Sequence, residues 1–158
     1  MKVPDVLGPR GLFAARLPQF EFRREQLQMA EAVAGALGAK AHCLAEAGTG
    51  VGKTFAYLVP ALLHLRDRRK IVVSTHTISL QDQLTQKDIP AVRSALPERP
   101  FRAALLKGMG NYLCLQNLDG SARLDILESG VFGRLTEWAS TTATGDVSEL
   151  GSTLPGWG

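Results

Sequence analysis

The chain has 158 residues, 45% of them hydrophobic and 21% charged, the size and balance of an ordinary globular domain rather than of a disordered or fibrous polymer. Its net charge of +3 is mildly basic, compatible with a polyanionic partner without requiring one. Its two cysteines, Cys43 and Cys114, stand in no paired spacing, which argues against a disulfide framework and against a zinc site made by these two alone.

Residues 1–20 are rich in Pro and Gly and read as an irregular lead-in. The start MKVPDVLGPRGLF lacks the long apolar core of a secretory signal, and no later run approaches the roughly 20 apolar residues that cross a bilayer. The expectation is a cytoplasmic protein with no membrane partner. REQLQMAEAVAGALG follows, with Leu27, Ala30, Val33, Ala34 and Leu37 at helical spacing and Gly38 placed for a left-handed cap. AHCLAEA, residues 41–47, is a short apolar run that fits a buried strand, with Cys43 inside it as a small hydrophobe. After a glycine-rich turn, KTFAYLVPALLHLRD reads as a helix, with Pro60 predicting a kink or break near Ala56.

The charged turn RDRRK leads to IVVST, residues 71–75, whose β-branched content predicts a second buried strand. SLQDQLTQKDIPAVRSAL reads as a helix in two pieces interrupted at Pro90, and FRAALLKG, residues 101–108, as a third strand. Strands alternating with helices predict an α/β fold with a parallel sheet and flanking helices. Beyond about residue 115 the sequence is helical in parts, then polar and rich in Gly and Thr to its last residue.

The stretch EAGTGVGKTF, from Glu46 to Phe55, carries the chemistry. It follows a strand-like run, opens a helix, and fits the P-loop pattern except that Ala47 stands at the first glycine position. Gly48, Gly50 and Gly52 let the backbone of Gly48, Thr49, Gly50, Val51 and Gly52 curl, so that successive N–H groups face phosphate oxygens. Lys53 is the residue to reach the β- and γ-phosphates and Thr54 the one to ligate Mg²⁺, so ATP and Mg²⁺ are the expected cofactors. Hydrolysis needs an acidic residue at the end of another strand. Asp119, Asp125 and Asp146 end no apolar run.

Upstream, Arg23 and Gln26 lie three apart at a helical start. Gln can pair with the N6 and N7 edge of adenine while a guanidinium stacks on the ring. After the second strand, Thr75, Thr77 and Ser79 are placed either to hydrogen-bond a phosphodiester backbone or to cap the helix beginning near Leu80.

In order and approximate spacing, FRREQLQMAEAV, EAGTGVGKTFAYLVPALL, VVSTHTISLQDQL and LLKGMGNYLC resemble the first motor domain of superfamily 2 helicases. Within these the chain looks most like the DinG/XPD branch of iron–sulfur DNA helicases, from about Leu7 onward. The resemblance implies a RecA-like P-loop NTPase fold. Residues 1–20 would be a lead-in, 21–113 the first part of motor domain 1, and 114–158 the truncated beginning of an iron–sulfur insertion. It places Arg23 and Gln26 in adenine recognition, Gly48 to Thr54 in the phosphate motif with Lys53 and Thr54 as its catalytic members, and Thr75, His76, Thr77 and Gln83 in a block that touches single-stranded DNA. Cys114 matches the first of four cysteines holding a [4Fe–4S] cluster. The other three, the Asp-Glu-x-His motif and the second motor domain are absent from these 158 residues. The chain is therefore expected to be the ATP-binding N-terminal part of a longer 5′→3′ DNA helicase, inactive alone and partnered by the rest of that chain. The alternatives are a non-catalytic nucleotide- or DNA-binding module and a small P-loop kinase.

Overall fold

In the computed structural model, which describes residues 1–65, 69–124 and 129–153, two short helices open the chain where the sequence reads as irregular. In α1 (Val3–Leu7) a proline in the first turn presets the backbone, and Val3, Val6 and Leu7 share one buried face. α2 (Leu12–Arg16) buries Phe13, whose ring meets Phe20 and Phe55 edge-on at centroid distances of 5.4 and 5.1 Å. The lead-in is thus part of the core.

α3 (Arg24–Ala39) and α4 (Lys53–His64) pack against each other and form the centre of a first compact unit, residues 1–105. Two expectations for them need correction. The left-handed cap falls on Lys40 (φ 54°, ψ 39°) and not on Gly38, which stays helical; the N–H groups of Lys40 and Ala41 return to carbonyls of the last turn. α4 runs through Pro60 as one element. The proline ring is fully buried, so packing around it holds the helix despite the lost backbone donor. The Arg99 guanidinium then donates to the carbonyls of Leu62 and Leu63 at the end of α4, the first of which also accepts the Leu65 N–H.

α5 (Ile78–Gln83) and α6 (Ile89–Ala95) are joined without a break by a π-helical stretch, Leu84–Asp88, in which the Ile89 N–H bonds the Leu84 carbonyl. Pro90 does interrupt the α-helical pattern here. It cannot donate to the fourth carbonyl before it, and its ring needs room there, so the turn widens instead of breaking. Leu84, Val92, Ala95 and Leu96 complete the core.

The predicted parallel sheet is not formed: among the described residues the runs 41–47, 71–75 and 101–108 have no regular strand structure. Leu44 is wholly exposed, Val72 is 88% exposed and Leu106 82%. A helix satisfies its backbone internally, whereas a strand needs neighbours on its hydrogen-bonding edges. Without strand partners these three apolar runs form no ladder. Cys43, expected to be buried, is exposed for the same reason. The Arg66–Arg68 part of the charged turn lies outside the described residues.

The second unit, residues 106–158, contains a short 3₁₀ turn (Met109–Asn111), α7 (Leu115–Leu124), α8 (Ser129–Thr141) and a 3₁₀ segment, Val147–Thr153. Its two ends are tied together. The Leu113 N–H donates to the Gly145 carbonyl, and the Tyr112 hydroxyl accepts from the Lys107 N–H. The buried Lys107 ammonium meets the Asp146 carboxylate at 2.7 Å and the Ser148 hydroxyl at 3.2 Å.

Candidate functional site

The glycine loop does what its sequence requires. Gly50 (φ 81°) and Gly52 (φ 83°) take left-handed conformations that side chains with a Cβ avoid, and Gly52 leads directly into α4. A Cβ on Gly52 would stand 2.0 Å from the Gln26 Nε2, so alanine here would strain the backbone and push the Gln26 amide off its place. The first turn of α4 therefore presents unpaired N–H groups and the positive end of its dipole beside the loop. Gly48 and Thr49 are exposed and Val51 is half-buried.

Lys53 folds back over the loop, its ammonium donating to the carbonyls of Ala47 (2.8 Å) and Gly48 (2.9 Å). Thr54 is half-buried, and its hydroxyl favours the charged forms of the Asp88 carboxyl and the Tyr57 phenol. Burial lifts the Asp88 carboxyl above its ordinary value, against Thr54 and the Gln83 hydrogen bond, which favour its charge. Burial likewise raises the Tyr57 phenol.

Gln26 lies in the first turn of α3, 3% exposed, with its Nε2 donating to the Gly52 carbonyl at 2.9 Å. Its Oε1 is buried without a protein donor. Arg23, just before α3, pairs with Glu21 at 3.2 Å. A cavity of about 510 Å³ is lined by Phe20, Arg23, Gln26, Phe55, Lys87 and Asp88, among others, and reaches Gly52. An aromatic and apolar pocket with an orphaned acceptor, set beside a phosphate-type loop, fits an adenine nucleotide: the exocyclic amino group is the donor that Gln26 lacks. The residues expected for base and phosphate, from Arg23 to Thr54, are brought into one place.

The residues expected at DNA are arranged differently. Thr77 is the N-cap of α5, accepting from the Leu80 N–H at 3.3 Å, and the Thr75 hydroxyl donates to the Thr77 carbonyl. His76 and Ser79 are exposed, while Gln83 reaches Asp88 at 3.4 Å. Of the carboxylates weighed from the sequence, Asp146 is engaged by Lys107, Asp119 is exposed in the second unit, and Asp125 lies outside the described residues. Asp88, which ends no strand-like run in the sequence, lines the cavity beside Gln26. Its signal was the Ile-Pro that follows it and forces the helix wide.

Cys114 is a free, exposed thiol in the second unit, and Cys43 belongs to the first. A [4Fe–4S] cluster takes four thiolates, so the donor set present here does not fit one. Among the described residues no group of three or more His, Cys, Asp and Glu is placed to hold a metal ion.

Comparison with known proteins places this loop in context. The family model of the DEAD/DEAH box helicases matches residues 24–94, which span α3, the glycine loop, α4 and most of α6. The ATP-dependent DNA helicase YoaA of Haemophilus influenzae is 39% identical over 157 residues, covering 94% of this chain and 23% of the relative. The ATP-dependent helicase DinG of Mycobacterium tuberculosis is 43% identical over 172 residues, covering 95% of this chain and 25% of the relative. A Bacillus subtilis relative named 3′-5′ exonuclease DinG is 37% identical over 141 residues, covering 85% of this chain and 15% of its own. The chain thus spans about a quarter or less of the length of these relatives. The helicase resemblance read from the motifs is borne out.

Proposed function

We propose, from the kinship of this chain with the DinG and YoaA helicases, that it is the ATP-binding N-terminal portion of an ATP-dependent DNA helicase. The observation that carries this is the convergence of the loop, Lys53, Thr54 and Gln26 at the N-terminal end of α4, in a chain 39–43% identical to such helicases over almost all its length. The phosphates would lie on the N–H groups of residues 48–53, with Lys53 released from the Ala47 and Gly48 carbonyls to meet them. Mg²⁺, bound with the nucleotide and held on the protein side by Thr54, would neutralise phosphate charge. Gln26 and Arg23 would orient the base.

In the longer protein, the runs 41–47, 71–75 and 101–108 would find strand partners and become a RecA-like parallel sheet. That would turn Thr75, His76, Thr77 and Gln83 toward single-stranded DNA at the carboxyl ends of its strands. Translocation in the 5′→3′ direction and duplex unwinding belong to that assembled state, with a second motor domain closing the cleft. A cluster on Cys114 would need thiolates from outside these 158 residues. The expected outcome is that Lys53→Ala in the longest expressible chain abolishes DNA-stimulated ATP hydrolysis with its folded circular dichroism spectrum intact. Retained hydrolysis, or phosphorylation of a small metabolite in its place, overturns the reading. No helix among the described residues is long and apolar enough to cross a membrane.

A further inference from the structure

Arg23 stands just before α3 and lines the same cavity as Phe20, Gln26 and Gly52. Its guanidinium also reaches the glycine loop. A Cβ built on Gly50 would meet the Arg23 Nη1 at 3.9 Å, ordinary van der Waals contact, so this nitrogen lies against the middle of the loop. Gly50 is one of the two left-handed residues that give the loop its curl. The Arg23 Nη2 is engaged, pairing with the Glu21 carboxylate at 3.2 Å. Among the described residues no hydrogen bond holds Nη1. The pair is open to water on both sides, 43% at Arg23 and 79% at Glu21, so little opposes its exchange for another anion. Lys53, the other cation at the loop, is a point charge resting on the Ala47 and Gly48 carbonyls. A guanidinium differs in presenting a planar fork of N–H donors that matches two oxygens of a phosphate. Stacking on a base uses the face of that plane and donation uses its edge, so the two are compatible.

We propose that Arg23 is a phosphate ligand of the nucleotide site: its Nη1, already beside Gly50, donates to one phosphate oxygen, and its Nη2 exchanges the Glu21 carboxylate for a second. The loop then works with two cations of different geometry, and the site recognises the phosphates of a nucleotide through the same residue that borders its base pocket. This inference rests on the nucleotide-binding reading above and gives Arg23 a role at the phosphates beyond orienting the base.

The test is competition on the 158-residue chain in Mg²⁺ buffer, with a fluorescent ATP analogue displaced by ATP and, separately, by adenosine, which has the same base and no phosphate. The quantity read is the ratio of the two dissociation constants, which partial loss of folded protein does not mimic. Wild type favours ATP. Arg23→Ala loses about tenfold of that preference, the size of one charge-assisted contact, while adenosine stays within about threefold. Arg23→Met, which keeps the long stem without the charge, does the same should the alanine variant fail to fold. Arg23→Lys, a charge without the fork, loses about threefold. Added salt weakens ATP binding less in Arg23→Ala than in wild type, since one cation fewer is screened. An unchanged ratio in both the alanine and methionine variants overturns the assignment. So does an equal loss for ATP and adenosine, the mark of a residue that serves the base alone. Lys53→Ala that binds like wild type, or wild type that binds neither ligand, refutes the nucleotide site itself and takes this role with it.

Discussion

The helix pair α3–α4 and the three apolar runs 41–47, 71–75 and 101–108 are made of similarly hydrophobic sequence and end in opposite states. The helices bury Ala30, Ala56, Val59 and Leu62, whereas the runs leave Leu44, Val72 and Leu106 in solvent. The difference lies in where each element finds its hydrogen bonds. A helix closes them within itself and needs a neighbour only for its apolar stripe. A strand of a parallel sheet needs a partner on each side, delivered by a crossover of a dozen or more residues. The glycine loop hangs between the two kinds of element, anchored on its helical side by Gly52 and Gln26 and on the other side by the Lys53 ammonium.

The comparison breaks most sharply under truncation. Val59→Ala, in the fully buried face of α4, should cost about 2 kcal/mol of unfolding free energy in a denaturant titration. Val72→Ala, 88% exposed, should stay within about 0.5 kcal/mol in this chain. Equal costs at the two positions would mean that the second run is ordered in solution.

An acid titration sharpens the contrast with the second unit, whose order depends on charge. Burial pushes the Asp146 carboxyl up, but hydrogen bonds from Lys107 and Ser148, with the Lys107 charge, bring it below its ordinary 3.8. Hydrogen bonds from Thr144 and Thr142 lower Glu149 as well. A carboxyl whose folded value is depressed stabilises above its unfolded value and loses that contribution as pH falls through the folded one. The second unit should therefore melt at a constant temperature from pH 7 to about 5 and lose stability below about 4. Trp138 fluorescence reports it, and Asp146→Asn reduces the fall to what Glu149 contributes.

The smallest effect is a gain. Lys40 holds a left-handed conformation (φ 54°) at the end of α3, and Lys40→Gly relieves it, raising stability by about 1 kcal/mol. Thermal melting with nucleotide affinity unchanged is the expected result.

How much could be read in advance follows the same division. α3 and α4 were legible because their apolar spacing is repeated over several turns, and the loop because glycine at Gly50 and Gly52 has a backbone reason. The helices around Val6 and Phe13 were not, since five residues carry too little periodicity and their order comes from burial against Phe20 and Phe55. The sheet was legible as a pattern, but a pattern of strands states a need for partners without supplying them. Gln26 lies beside the loop, its amide donating to the Gly52 carbonyl, a nearness that its place about twenty residues upstream only suggests. Asp88 escaped because its place depends on a widened helical turn that Pro90 imposes from two residues away.

The ammonium of Lys53 makes the loop its own first occupant. A positive charge already rests on the carbonyls of Ala47 and Gly48, so a triphosphate bound as proposed would enter by exchange and not by filling an open space. Two short hydrogen bonds are given up as new ones form, and the net heat of binding is the difference between them. What remains to drive entry is long-range attraction between a cation and a polyanion, which salt screens over about 8 Å at physiological ionic strength. On the proposed nucleotide-binding reading, the salt concentration of the medium would therefore help decide whether Lys53 or a triphosphate holds the loop.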